Sequence, residues 1–404
     1  MSDQAASISR RTLLTGAAAL GALAAAPRVA RAQGGAIRLG TLTPLTGAGG
    51  PYGPPMRRAM EWVVSEVNAA GGVLGRKIEM ASEDDQTNPE AAVRAARKLI
   101  DVDKVAAVMG TWASAVTTAV APLCWESKTF LTTVSGSDSI TQLPHQGFLV
   151  RTQPNTHLQI GKLGDFILTL KSKRVFVLAA QTPFAVPSQK RLTEVLTKGG
   201  SEMVGGVIYD KDKTTFRSEI DQALKARPDM IYLNGYTPDV TVVMKELFKA
   251  GYTGAKIAQG YAVNQKLLDS MPHEVSDGTY TATPSPAVDS AGYKRLAKFL
   301  GSSDLDPYSC QCHDHASLVI LAVARAKGEA TGTAIKEHVR RISQGGGTKV
   351  DNAVDGLKLL AQGKEINYEG ASGPCDFTDT GDIIDCKIRY DQAEKGKFKH
   401  VTIL

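Results

Sequence analysis

Short apolar runs and amphipathic stretches alternate along most of the chain. Runs such as "IRLGTLT", "RKIEMASEDD" and "KVAAVMG" have the length and composition of strands. Between them, apolar residues recur at helical spacing, as in "PPMRRAMEWVVSEVNAAGG", where Met56, Met60, Val63 and Val67 share one face. Strands separated by helices in this way predict an α/β fold with parallel sheets covered on both faces.

The ends of the predicted elements carry recognisable signals. Asn88 precedes "PEAAVRAARKLI" as a helix cap, with Pro89 in the first turn. The stretch "GTWASAVTTAVAP", Gly110 to Pro122, follows an apolar strand and opens a helix. Ligands of such sheets lie beyond the carboxyl ends of the strands, so this stretch is a candidate for ligand contact. Ser114 caps the helix or points toward an arriving anion.

The first 32 residues have the layout of an export signal. Arg10 and Arg11 precede an apolar stretch of about 14 residues, against the roughly 20 that a membrane span needs, and an A-x-A site ends at Ala32. We therefore expect a signal peptide over residues 1–32, cleaved after Ala32, and a periplasmic product. The twin arginine favours the Tat route over Sec.

Composition narrows the classes of partner. The formal net charge of +6 at pH 7 falls to +3 when the four arginines and one aspartate of residues 1–32 are removed. Basic and acidic residues are interspersed without a basic block, so we expect no nucleic-acid partner. No later apolar run approaches a membrane span, and we expect the mature protein to be soluble and monomeric.

Chain length and cysteine content suggest how the mature protein is organised. Its 372 residues, 404 minus 32, exceed what one hydrophobic core usually holds, so two lobes are expected. Export permits disulfides, and five cysteines remain. Cys375 and Cys386 flank "DFTDTGDIID", a pattern typical of a hairpin, and are the best candidate pair. The odd number leaves at least one thiol free.

Patterns that would indicate catalysis or a cofactor do not fit. "GAGGPYG" departs from G-x-G-x-x-G, and "GGGTK" lacks phosphate-loop spacing. Ser114 has no flanking glycines, which argues against a hydrolase that uses His157 or His315 as base. "CQCHDH", residues 310–315, lacks zinc-site spacing and predicts a polar helix start with buried thiols. We expect no enzyme, no metal and no cofactor.

Four segments together resemble the periplasmic binding proteins of the branched-chain amino acid transport family. They are "GPYGPPMRRAMEWVVSEVNAAGGVLGRKIEM", "DDQTNPEAAVRAARKLI", "VAAVMGTWASAVTTAVAPLCWESKTFLTTVS" and "FLVRTQPNTHLQ". The resemblance implies two Rossmann-like lobes with parallel sheets, joined by three crossovers. It places lobe 1 over residues 34–155 and 286–365, and lobe 2 over residues 156–285 and 366–404. Such lobes close on a small ligand and deliver it to a cognate ABC permease in the inner membrane.

The resemblance also implies which residues hold the ligand. Ser114 matches the family serine whose hydroxyl holds the ligand carboxylate, and "TVSGS" matches a loop that offers backbone groups. Gly136 stands in this loop where the family has a threonine that hydrogen-bonds the ligand. The resemblance leaves Ser135 or Ser137 to make that hydrogen bond instead. The full predicted set is Tyr52, Trp112, Ala113, Ser114, Val134, Ser135, Gly136, Phe184, Tyr236 and Tyr261.

Two acids that amino-acid binders use to hold the ligand ammonium are missing. The matching positions lie near Thr156 and around Tyr261, and neither is acidic. An unpaired ammonium buried in a closed cleft is costly. We therefore predict a carboxylate without an α-ammonium, first of all an aromatic acid. Its body would pack against an apolar, partly aromatic wall of Trp112, Phe184, Tyr236 and Tyr261.

Two alternatives stay open. The first is a branched-chain amino acid or an amide, held by a different acid such as Asp239. The second is a ligand-sensing periplasmic module on the same scaffold.

Overall fold

The structure is a computed structural model that describes residues 35–404. The predicted signal peptide, residues 1–32, lies outside the described residues. From residue 35 onward, no helix combines the length and the apolar character needed to cross a membrane.

The first sheet has five parallel strands in the order β2-β1-β3-β4-β5. Its strands are β1 Ile37–Thr43, β2 Ile78–Asp84, β3 Ala107–Gly110, β4 Phe130–Thr133 and β5 Leu149–Arg151. The segments between them form the helices Gly53–Ala69, Pro89–Arg97, Ser114–Glu126 and Ser139–Gln142, and a π-helical turn over Lys98–Val102.

Two predicted helices form as the sequence indicates. Helix Gly53–Ala69 buries Met56 and Val67 on its apolar face, and the chain then turns through Gly71 and Gly72 at positive φ. Helix Pro89–Arg97 is capped by the side chain of Asn88, which accepts a hydrogen bond from the Ala91 amide at 2.9 Å. Both predictions are confirmed.

The second sheet has seven strands in the order β14-β13-β10-β9-β8-β6-β7. Its strands are β6 Arg174–Ala180, β7 Glu202–Tyr209, β8 Met230–Asn234, β9 Ala255–Gln259, β10 Thr279–Pro284, β13 Ile388–Glu394 and β14 Lys397–Ile403. Its helices are Thr156–Thr169, Ala185–Lys198, Arg217–Lys225, Thr237–Lys249, Gln265–Asp269 and His273–Ser276.

The prediction of parallel sheets is confirmed for the first sheet and for five strands of the second. Strand β13 runs antiparallel to both β10 and β14. The turn between β13 and β14 holds Lys395 and Gly396, both at positive φ, as a tight hairpin turn requires. The second sheet therefore ends in an antiparallel pair.

The chain passes between the two sheets three times, at about residues 152–155, 285–290 and 384–387. After the second passage it packs on the first sheet, where helix Pro307–Arg325 contacts helix Gly53–Ala69 and strand β3. The elements of this part are the helices Ala291–Leu300, Pro307–Arg325, Gly332–Ser343 and Ala353–Ala361, and the parallel pair β11 Thr348–Val350 and β12 Ile366–Tyr368.

Residues 366–383 pack with the first sheet. Tyr368, Cys375, Phe377 and Ile383 share one buried cluster with Ile37 of strand β1. The predicted lobe bounds assigned these residues to lobe 2, because no sequence signal separates them from the final strands. The exact bounds stay a prediction, and this packing favours a third boundary after residue 383.

The structure leaves all five cysteines as free thiols, so the predicted Cys375–Cys386 pair is not formed. The predicted hairpin between them is present as an antiparallel bridge of Phe377 with Ile383. Cys375 is buried in the core and its thiol faces the Gly373 carbonyl at 3.7 Å, while Cys386 lies half-buried farther along the chain.

Candidate ligand-binding site

A cleft lies between the carboxyl ends of strands from the two sheets. It holds about 420 Å³ of space, open solvent included. Its wall is built from segments that directly follow strands β3, β4, β5, β6, β8 and β9, and from the start of helix Pro307–Arg325. The lining residues are Trp112, Ala113, Ser114, Val134, Gly136, Gln153, Gln159, Thr182, Phe184, Tyr236, Tyr261 and Tyr308.

Eight of the ten predicted residues line this cleft, and Tyr52 and Ser135 do not. Tyr52 stacks behind Trp112, with ring centroids 5.6 Å apart, and its hydroxyl donates to the Tyr261 carbonyl at 3.1 Å. Ser135 is fully buried and its hydroxyl turns away from the cleft to donate to the Trp112 carbonyl at 2.9 Å. Both therefore support residues that line the cleft.

Four lining residues were not predicted: Gln153, Gln159, Thr182 and Tyr308. Gln153 and Thr182 come two residues after strands β5 and β6 end, where ligand contacts are expected in such sheets. That signal was available in the sequence. Tyr308 comes from the distant helix Pro307–Arg325, and no local pattern could have placed it here.

Ser114 opens helix Ser114–Glu126 at the edge of the cleft. Among the described residues, no side chain caps this helix, so its first-turn amides lack the intrahelical partners that later amides have. The Ser114 oxygen accepts a hydrogen bond from the Ser137 amide at 3.2 Å, which leaves the hydroxyl hydrogen available to donate. Free amides, a hydroxyl donor and the helix dipole together suit an anion.

The loop before Ser114 is held in an unusual backbone conformation. Gly110 has φ +112° and Thr111 has φ +48°. A side chain at residue 110 would meet the Leu42 carbonyl oxygen at 2.6 Å. Hydroxyls from the neighbouring strand fix the loop, since Thr133 donates to the Thr111 carbonyl at 2.8 Å. The position of Trp112 is thereby fixed before any ligand arrives.

Besides Tyr52, four aromatic side chains surround Trp112 or face it across the cleft. The Trp112 ring centroid lies 5.7 Å from Tyr236, 5.6 Å from Tyr261 and 5.8 Å from Tyr308, and Phe184 lies 6.5 Å from Tyr261. Burial raises the pKa of Tyr236 to about 12, so its phenol is neutral at pH 7. None of the lining residues described carries a carboxylate, ammonium, guanidinium or imidazole group. The wall is apolar and aromatic with neutral polar groups.

Asp239, the acid considered for an amino-acid ligand, is engaged elsewhere. One of its oxygens accepts from the Tyr209 hydroxyl at 2.7 Å and the other from the Tyr236 amide at 2.9 Å. Burial raises the pKa of this carboxyl. Its two hydrogen bonds position the start of helix Thr237–Lys249. Asp239 therefore stabilises the side of the cleft that is built from the second sheet.

Gly136 has no side chain, which allows the two sides of the cleft to pack closely at this position. A Cβ at residue 136 would lie 2.8 Å from Phe184 Cε2 and 3.0 Å from Gln159 Nε2. Phe184 thus fills the space that a larger residue at position 136, such as the threonine implied by the resemblance, would need. Ser137, the possible substitute, donates its hydroxyl to the Pro183 carbonyl at 2.8 Å and so joins the two sides.

Replacing Gly136 with alanine should destabilise the protein by about 1–3 kcal/mol, because Phe184 must leave its position to avoid the new methyl group. Urea unfolding monitored by tryptophan fluorescence measures this change. Gly346→Ala is the matched control, since a Cβ at residue 346 meets open space. Equal free energies of unfolding for the two variants would contradict the clash.

Two buried ionisable groups have opposite effects on stability as the pH changes. His315 is fully buried with Nε2 2.8 Å from the Thr152 hydroxyl, and burial lowers its pKa to about 3. The unfolded histidine titrates near 6.5, so this group costs stability as the pH falls below that value. Burial raises the pKa of Asp85 to about 7, so the folded state gains protons as the pH falls from 7 toward 4, and stability rises.

Asp85→Asn should separate the two effects. The Asp85 Oδ2 atom is buried and has no hydrogen-bond partner within the described chain. Removing this charge should raise the free energy of unfolding at pH 8 by about 1–3 kcal/mol. Between pH 7 and 4 the variant should lose stability more steeply than the wild type, because only the effect of His315 remains. Urea unfolding across this pH range is the measurement, with exposed Asp101→Asn as control. If the free energy of unfolding depends on pH in the same way in the wild type and in Asp85→Asn, Asp85 does not titrate in this way.

Two α/β lobes that meet at a neutral, aromatic cleft, where one helix start offers groups that suit an anion, are typical of a solute-binding protein. The chain belongs to the periplasmic binding protein family, whose model matches residues 36–389. It is a type I member similar to the branched-chain amino acid binding proteins.

Relatives and solved structures agree with this family. The chain is 28% identical over 354 residues, 85% of this chain and 83% of the relative, to the chemotactic signal transduction system substrate-binding protein BasB of Halobacterium salinarum. Leucine binding protein LivK from Thermotoga maritima has a similar structure, with TM-score 0.77 and 21% identity, covering 91% of this chain and 98% of that one. A solute binding protein of an ABC transporter from Rhodopseudomonas palustris BisB5, in complex with 3,4-dihydroxy benzoic acid, has TM-score 0.71 and 22% identity over 91% and 97% of the two chains.

Proposed function

We propose that this protein captures a small carboxylate without an α-ammonium, first of all an aromatic acid, for an ABC transporter. The observation that carries the proposal is the uncapped helix start at Ser114, facing a cleft whose described lining holds no ionised side chain. A single negative group has one favourable place in such a cleft, and the rest of the ligand meets neutral walls.

The ligand carboxylate would dock at Ser114. The hydroxyl and first-turn amides supply charge-assisted hydrogen bonds, each worth about 1.5–3 kcal/mol when buried. The helix dipole adds about 0.3–1 kcal/mol. These contacts come from the first sheet's side alone.

The ring of the ligand would contact both sides. Trp112 belongs to the first side, while Phe184, Tyr236 and Tyr261 belong to the second. Contacts made by both sides stabilise the closed form, which is the form a permease recognises. Gln153, Gln159 and Thr182 offer neutral hydrogen-bond groups for ring hydroxyls, and the R. palustris relative was solved with a dihydroxy benzoic acid.

An amino-acid ligand is the alternative, favoured by the likeness to a leucine binding protein. Its ammonium would need a carboxylate, and the described cleft lining contains none. Asp239 already accepts hydrogen bonds on both oxygens. Burying an ammonium without a partner costs several kcal/mol in the interior of a protein.

The proposed setting is the periplasm, with a cognate permease in the inner membrane. The family is one of periplasmic binding proteins, and the sequence before residue 33 has the layout of an export signal. No chemical change of the ligand is part of this function.

Calorimetric titration of the purified mature protein tests the proposal. We expect saturable heat from benzoate and 3,4-dihydroxybenzoate, and none from leucine or valine under the same conditions. Ligand-dependent thermal stabilisation, which follows mass action, is the second readout. Tight binding of leucine, together with no binding heat from benzoate or 3,4-dihydroxybenzoate, would refute the proposal.

A further inference from the structure

Tyr52 connects the two sides of the ligand cleft through its hydroxyl group. It belongs to the loop between strand β1 and helix Gly53–Ala69, on the first sheet's side. Its hydroxyl donates to the Tyr261 carbonyl at 3.1 Å and accepts from Asn264 Nδ2 at 3.1 Å. Both partners follow strand β9 of the second sheet. Two hydrogen bonds between uncharged protein groups therefore join the two sides at this one atom.

The ring of Tyr52 is held on the first side by aromatic packing. Its centroid lies 5.6 Å from that of Trp112, with 23° between the ring planes, and 5.3 Å from that of Tyr308, edge to face. The loop has little room to shift, since a Cβ at residue 53 would collide with the Pro44 carbonyl oxygen. The hydroxyl is thus presented to the second side by a firmly packed support.

On the second side, the partners of Tyr52 also bond to one another and to their own helix starts. Asn264 caps the helix that follows it, because its Oδ1 accepts from the Leu267 amide at 3.0 Å. The Tyr261 carbonyl also accepts from the Thr237 hydroxyl at 3.0 Å, and Asn264 Nδ2 lies 3.4 Å from the same carbonyl. If the two sides separate, both partners keep hydrogen bonds within the second side. Opening therefore breaks the bonds of Tyr52 without disrupting either side.

We propose that Tyr52 is a positioning residue, whose hydroxyl stabilises the closed form of the cleft without touching the ligand. Tyr52 is not among the residues that line the cleft, so its contribution does not depend on the chemistry of the ligand. The two hydrogen bonds favour closure before a ligand binds, and the apparent affinity for every ligand that needs the closed form rises with the closed fraction. This inference rests on the proposed capture of a ligand in the cleft, but not on that ligand being an aromatic acid.

Tyr52→Phe tests the proposal, because it removes the hydroxyl and keeps both ring contacts. Small-angle X-ray scattering of the mature protein without ligand should give a larger radius of gyration for the variant than for the wild type. Saturating benzoate should restore the wild-type radius, which it would not do for a folding defect. Tyr280→Phe is the matched control, the same change near the start of strand β10 and away from the cleft, and should leave the radius unchanged.

Titration calorimetry gives the second measurement. Tyr52→Phe should weaken benzoate and 3,4-dihydroxybenzoate by the same factor, about three- to tenfold, as expected for the loss of hydrogen bonds between neutral groups. A residue that contacts the ring hydroxyls would change the ratio of the two affinities instead. Tyr280→Phe should bind both acids like the wild type.

Asn264→Ser tests the partner on the second side. Serine keeps the helix cap but removes the amide that donates to Tyr52. The variant should weaken both acids in the same proportion. The double variant should bind no more weakly than Tyr52→Phe alone, since the two changes remove a shared hydrogen bond.

Equal radii of gyration for the wild type and Tyr52→Phe without ligand would overturn the proposal. Unequal losses for the two acids, or additive losses in the double variant, would overturn it too. A wild type that binds neither acid would instead refute the aromatic-acid function, and the scattering without ligand would still decide whether Tyr52 holds the cleft closed. The two proposals therefore fail separately.

Discussion

Replacing Ser114 with alanine is expected to weaken benzoate binding by about ten- to a hundredfold, which corresponds to one lost hydrogen bond to a charged group. The hydroxyl hydrogen is free to donate, because the oxygen is already engaged as an acceptor of the Ser137 amide. The first-turn amides and the helix dipole remain in the variant, so binding should persist at reduced strength. Titration calorimetry of wild type and variant gives the ratio.

The control for this experiment is Ser303→Ala, the same change at an exposed serine far along the chain. It should leave affinity unaltered. Thermal unfolding without ligand checks that Ser114→Ala remains folded. If benzoate binds the Ser114 variant within a factor of two of the wild type, the carboxylate does not dock at this helix start.

Replacing Asp382 with alanine is expected to lower the free energy of unfolding by about 3–5 kcal/mol, because it leaves a buried charge without its partner. Arg151, at the end of strand β5, is fully buried and pairs with Asp382 through Nε. Its other nitrogens donate to the Ser135 carbonyl at 3.3 Å, to the Ser137 carbonyl at 2.5 Å and to the Thr141 hydroxyl at 3.0 Å. Urea unfolding measures the change.

A double variant tests the cause of this loss. Arg151→Met with Asp382→Ala removes both charges, so it should be clearly more stable than Asp382→Ala alone. Asp379→Ala, three residues earlier and exposed, is the matched control. A double variant less stable than the single one would mean that the guanidinium bonds to the carbonyls of the cleft loop matter more than the unpaired charge.

Much of the fold could be predicted because its signals are local. The cap at Asn88 and the apolar face of helix Gly53–Ala69 depend on residues a few positions apart, and both appear as expected. The antiparallel pair β13–β14 was missed, since its turn uses Lys395 where hairpin signals favour asparagine or aspartate. Residues 366–383 pack with the first sheet, although the predicted bounds place them in lobe 2, and core membership of this kind is decided over long sequence distances.

The same distinction between local and long-range signals applies to the candidate site. The segment after strand β3 was recognised from its pattern, so Trp112 and Ser114 were placed at the cleft from the sequence, and Phe184 was placed there by the family resemblance. Within a segment, the direction of each side chain was less certain, and the Ser135 hydroxyl points into the loop that holds Trp112. Tyr308 reaches the cleft only through tertiary packing, and no sequence motif predicts that contact. That the lining residues hold a ligand stays a prediction.

The contact between Gly136 and Phe184 has an evolutionary consequence. A bulky ring at position 184 and any branched residue at position 136 compete for the same volume. Homologues with threonine in the loop should therefore have a smaller residue opposite it, and the two sites should vary together when sequences of different specificity are compared.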